Sequence, residues 1–165
     1  MSDAIKLAFS AQMEAMRQEL DDLLRRASNA ELRRPGIEGE WSCADVLAHF
    51  AGYTRGVADL LAEARGLRSL APRYNAPPGL NDDDFNAIVV SYWRARPVQE
   101  LLTEERAAFD ALVAEVSRLT SKALLTDGYF AFAKGRSLDS ILPAQSHQHY
   151  RDHLPALRHA LRRSL

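Results

Sequence analysis

Apolar residues recur along this chain in steps of three and four, the spacing of one face of an α-helix. The first stripe runs Ile5, Phe9, Met13, Met16, Leu20, Leu23/Leu24 and Ala27, which predicts a helix of about six turns. A second stripe starts behind Trp41 and continues through Val46, Phe50, Tyr53, Val57, Leu60/Leu61 and Ala64. Ser42 followed by Asp45 is a capping-box variant at its start, where a hydroxyl and a carboxylate satisfy otherwise orphan N–H groups. Trp41 and Val46 stand at the staple positions around that cap. Asn81 opens a third helix, whose acidic first turn, Asp82 to Asp84, complements the positive end of the helix dipole. Pro97 ends this helix and is expected at the first position of a fourth, which reaches about Leu119 on Leu101/Leu102, Phe109, Leu112/Val113 and Val116. From Thr120 to Asp139, with Tyr129, Phe130 and Phe132, the spacing is less regular and predicts one short helix or an ordered loop. The last helix is expected from about Ser140 or Ser146 to Arg162-Arg163.

Gly and Pro gather between these segments, at Pro35-Gly36 and Gly39, Pro72 to Gly79, Pro97, and Gly128 to Gly135. No run alternates long enough to build a sheet. The fold class is therefore all-α, a four-helix bundle with additional short helices, expected as a single domain over residues 1–165.

Composition narrows the function. Lys and Arg total 21 against 22 Asp and Glu, a formal net charge of −1. No global field favours nucleic acid or an anionic membrane surface, so neither is an expected partner. Arg33-Arg34 and Arg162-Arg163 are too short for a nucleic-acid stripe. No apolar run approaches the roughly 18 residues of a spanning helix, and Met1 to Lys6 lacks the apolar core of a signal peptide. The expected compartment is the cytoplasm. One cysteine, Cys43, excludes an internal disulfide and a CxxC metal site. The first turn of a helix favours its thiolate, but no histidine is near it in sequence. The Asp82-Asp83-Asp84 run lacks the glycine and spaced ligands of a calcium loop and is better explained by the dipole. Asn81 and Asn86 flank that run, Asn81 as its cap.

The histidines carry the candidate chemistry. Five are present, His49, His147, His149, His153 and His159. His149 and His153 are four apart, so on a helix they project about 40° from each other, with Leu157 and Leu161 extending their row inward. His49 lies at the edge of the second stripe. Three neutral imidazoles converging in a bundle form a site with open positions that suits Zn(II), Ni(II) or Fe(II). The same residues also fit core histidines satisfied by carbonyls or carboxylates. His147 and His159 fall off the row and are expected in solvent. Pro155 leaves two readings: it sits inside the last helix and removes one hydrogen bond beside the pair, or it starts that helix and leaves the pair on a loop. Tyr53, one turn after His49, is a candidate for proton transfer or simply packs. Gly52 and Gly56 near the same face leave room for a ligand or permit a close helix approach.

Glu40-Trp41-Ser42 followed by Asp45-Val46-Leu47-Ala48-His49 resembles the second helix of the DinB/YfiT-like superfamily. His149-Tyr150-Arg151-Asp152-His153 is similar to its last-helix HxxxH. Asn81 to Asn86 and Leu119 to Leu125 look most like the ClbS/DfsB branch. The resemblance implies a helical bundle, often a homodimer, with a divalent metal held by three histidines, here His49, His149 and His153. It further implies a metal-dependent hydrolase, or a transferase using a low-molecular-weight thiol, acting on a small-molecule electrophile. The alternative is a metal-free small-molecule-binding or stress-related protein.

Overall fold

The computed structural model describes residues 2–66, 74, 76 and 79–162. Most of the loop between Pro72 and Gly79, and Arg163 at the expected basic end, lie outside the described residues.

In chain order the elements are α1 (Ser2–Leu24), α2 (Asn29–Leu32), β1 (Pro35–Glu38), β2 (Trp41–Ser42), α3 (Cys43–Ala64), α4 (Asp82–Arg94) and α5 (Val98–Ser117). They continue with α6 (Ser121–Leu125), α7 (Leu138–Ile141) and α8 (His147–Arg162), with 3₁₀ turns at Ala131–Ala133 and Pro143–Gln145. α1 packs on α8, α8 on α3, α3 on α5 and α5 on α1, so the four longest helices close a bundle, and α4 lies against α3. Met13, Leu20, Leu47, Phe50, Leu61, Leu101, Leu112 and Leu157 are fully buried in its core. No helix among the described residues is long and apolar enough to cross a membrane.

The predicted start of α3 is present in full. The Ser42 hydroxyl accepts from the Asp45 backbone N–H, and the Asp45 carboxylate accepts from the Ser42 N–H at 2.8 Å. Such caps contribute on the order of 1 kcal/mol. Asp45 also accepts two hydrogen bonds from Arg94 at 2.9 Å, tying the start of α3 to the end of α4. Burial alone would raise the Asp45 carboxyl, but Arg94 and Ser42 outweigh it and hold it below the usual carboxylate range.

Three expectations need correction or refinement. Pro35–Glu38 pairs antiparallel with Trp41–Ser42, a small hairpin where only punctuation was read. Two strands this short carry no alternation; the positive φ of Gly39 lies in the turn between them, and that of Gly36 lies where the register of β1 shifts. Pro97 stands one residue ahead of the first helical position, as the N-cap of α5. Pro155 lies inside α8, which begins at His147, so the first of its two readings holds. Asn81 caps α4 as expected, accepting from the Asp84 N–H at 2.9 Å.

Candidate metal centre

The three imidazoles meet. His49 reaches them from the middle of α3, while His149 and His153 project from consecutive turns of α8. One nitrogen of each ring lies within 4.8 Å of the others. Ring centroids are 4.4 Å apart for His49 and His149, and 5.2 Å for each pair that includes His153. His49 is 8% exposed and the other two are half-buried.

Two of the rings are oriented from outside the bundle core. Asn86 on α4 accepts a hydrogen bond from His49 Nδ1 at 2.7 Å. Glu38 on the hairpin receives His153 Nδ1 at 2.8 and 2.9 Å. A histidine whose Nδ1–H is held by a carbonyl or carboxylate presents the Nε2 lone pair, the arrangement that metal-binding histidines commonly use. His149 differs: its Nδ1 is buried without a partner, and its Nε2 lies 2.5 Å from His49 Nε2. That separation is shorter than the roughly 3 to 4 Å between two nitrogens on one ion, which follows from metal–nitrogen bonds near 2.0–2.1 Å. It is the contact of an N–H on one ring with the lone pair of the other.

The surroundings keep His49 and His149 neutral. Burial, followed by repulsion from His49 and His153, lowers the His149 pKa to about 3. Burial also lowers His49, although Asn86 opposes it. Trp41 and Tyr53 approach the His49 ring edge-on at 5.4 and 4.9 Å, and Phe50 stands 5.5 Å from both His149 and His153. Neutral imidazoles are the form a divalent ion needs, and a set of three imidazole ligands leaves coordination positions open. The donor set therefore fits a divalent metal.

Tyr53 places its ring 5.4 Å from His149 as well, but its hydroxyl turns to the rim and donates to Asp82 at 2.9 Å. Burial and the Asp82 carboxylate raise its pKa above the ordinary tyrosine value. Gly52 explains how α4 comes close enough for Asn86 to reach His49. A Cβ there would lie 3.1 Å from both Val89 methyl groups. No such contact exists at Gly56, where a Cβ meets open space. Cys43 is fully buried, and burial pushes its thiol up to about 12, which removes it as a nucleophile. His159 is exposed as expected. His147 is not: it is 5% exposed, its ring edge-on to Phe9. The helical angle does place it off the His149 row, but α1 covers that face of α8 too.

Sequence reasoning missed Glu38 and gave Asn86 no role. Asn86 sits one turn after the acidic cap of α4, on the face turned to α3. Glu38 has no periodic position at all and is brought to α8 only by the hairpin.

A helical bundle with histidines from its second and last long helices defines the class. The chain belongs to the DinB superfamily, whose family model matches residues 12–154. Solved structures share the fold at low identity. A protein from Streptococcus pneumoniae is 14% identical with a TM-score of 0.73, over 95% of this chain and 88% of that one. An uncharacterized protein from Clostridium difficile 630 is 13% identical with a TM-score of 0.75, over 99% and 97%. The colibactin self-resistance protein ClbS, solved in complex with a dsDNA, is 14% identical with a TM-score of 0.65, over 99% and 96%. No protein in the curated set matches.

Proposed function

We propose that this protein binds one divalent metal, Zn(II), Ni(II) or Fe(II), through His49, His149 and His153, and uses it on a small electrophilic molecule. The observation that carries this reading is the convergence of three imidazoles, two of them with Nδ1 already engaged. When bound, the ion would act as a Lewis acid and lower the pKa of a coordinated water or thiol. The chain's own groups then have definite tasks. Asn86 and Glu38 fix the rings, and Trp41 and Phe50 restrict water around them. Tyr53 is the candidate proton carrier or substrate-orienting group, and Asp82 accepts its hydroxyl proton in a hydrogen bond. The reaction class is hydrolysis, or transfer to a low-molecular-weight thiol. The substrate is a small molecule, not a nucleic acid, in keeping with a net charge of −1. Self-association as a homodimer belongs to the same reading and is checked by sedimentation.

A second reading rests on the 2.5 Å contact between His49 and His149, which partners two nitrogens without an ion. A metal-free pocket for a small molecule would use it. Thermal denaturation with added Zn(II) separates the two. At about a hundred times Kd, a specific site adds roughly 2.7 kcal/mol by mass action, which raises Tm by about 5–10 °C for a chain of this size. The shift disappears in His49→Ala. A wild-type Tm that Zn(II), Ni(II) and Fe(II) all leave unmoved favours the second reading.

A further inference from the structure

On the side of α8 turned away from the three imidazoles, α1, the end of α5, α6, α7 and the 3₁₀ turn Pro143–Gln145 line an open cavity of about 350 Å³. Its walls are largely apolar, formed by Ile5, Phe9, Val116, Leu124 and Leu142. This volume lies at the lower end of the range for small-molecule pockets. One polar ring is built into the wall. His147 is 5% exposed, and its Nδ1 is buried with no hydrogen-bond partner. Buried polar atoms in native proteins are almost always paired, so an imidazole with no partner in the wall of an apolar cavity has capacity to bond a ligand group through its cavity side. Two charges also line the cavity, Lys6 and Asp139. They are opposite in sign, so an ion of either charge is attracted by one and repelled by the other. The Lys6 ammonium is also engaged, donating to the Leu119 carbonyl at 3.3 Å.

We propose that this cavity binds a small neutral amphipathic molecule, an alkyl or aryl alcohol, whose apolar body fills the walls and whose hydroxyl meets the His147 imidazole. A hydroxyl both donates and accepts, so it satisfies the ring whichever nitrogen faces it and whichever carries the proton. His147 and His149 are about 200° apart around the helix, which makes this site separate from the metal centre. It stands whether or not a metal binds there.

The test is a titration of the full chain with 4-ethylphenol, followed by amide chemical shifts, with ethylbenzene and 4-ethylbenzoate as matched probes. The expected result is saturable shifts confined to the first half of α1, the Pro143–Gln145 turn and the start of α8. Ethylbenzene and 4-ethylbenzoate bind about tenfold more weakly, one for want of a hydroxyl and the other for its charge. His147→Phe keeps an aromatic ring and loses both nitrogens, and 4-ethylphenol affinity falls about tenfold, the factor of one hydrogen bond. Ala8→Trp, at an exposed position on the rim, blocks the cavity without touching His147 and abolishes the shifts. Three results overturn the proposal: no saturable shift up to roughly 10 mM, ethylbenzene binding as tightly as 4-ethylphenol, or His147→Phe binding it undiminished.

Discussion

Neighbouring residues on α8 belong to two polar clusters of opposite design. Tyr150 points into the core, fully buried, and donates to Glu105 at 2.7 Å. Glu105, also fully buried, takes Arg17 on its other oxygen at 2.5 Å, and the remaining guanidinium nitrogens of Arg17 bond to Asp21. Every polar atom of Arg17, Glu105 and Tyr150 has a partner. His149 points the other way, into a cluster in which its own Nδ1 has no partner and the nearest nitrogen is another imidazole. Phe50 separates the two, stacked on Tyr150 at 4.2 Å and edge-on to His149 at 5.5 Å. The difference is one of closure. The first cluster completes itself and fixes how α1, α5 and α8 pack. The second is oriented from its edges, by Asn86 and Glu38, and leaves the His149 Nδ1 unpaired.

The largest expected effect breaks the closed cluster. Arg17→Met strips the buried Glu105 of its cation and should cost about 3–5 kcal/mol, since an unpaired charge is left in the core. Urea denaturation checks this, and His149→Ala measured alongside should cost clearly less. Equal losses would erase the contrast between the two clusters. Tyr150→Phe comes next, at about 1.5–3 kcal/mol for a hydrogen bond to a charged group, with Zn(II) affinity retained. Glu38→Gln should do the reverse, leaving stability nearly untouched while weakening Zn(II) binding about 10- to 100-fold, read by competition with a chromogenic chelator.

Within half a pH unit the smallest effect is that of pH. His49 and His149 have folded pKa values below the unfolded value of about 6.5. Between those values the unfolded chain binds more protons, so stability of the metal-free protein falls as pH drops below about 6.5. The slope approaches about 1.4 kcal/mol per pH unit for each group. His149→Gln should flatten it, and an unchanged slope would show that the ring is not held neutral.

How far the sequence foretold these two regions depends on what each is made of. The cap at Ser42 and Asp45 and the stripes of α1, α3 and α5 were legible because helical period and capping are local. The same period places Arg17 between Met13 and Leu20, and Glu105 between Leu101 and Phe109, on otherwise apolar faces. That signal of charges at core positions went unread, and their pairing across the bundle leaves no mark in the sequence. The histidine row was legible for the same reason. Its orienting groups were not, because Glu38 arrives on a hairpin too short to show alternation and Asn86 is one amide on a polar helix start. His147 was misplaced because an angle on one helix does not show which neighbours cover each face.

The proposed function requires an ion at the meeting point of α3 and α8. Elemental analysis of untagged protein purified without chelator measures it directly. The prediction is close to one equivalent of a single divalent metal per chain, lost in both His49→Ala and His153→Ala while each variant stays folded. Less than about a tenth of an equivalent in the wild type, or full occupancy in either variant, would contradict it.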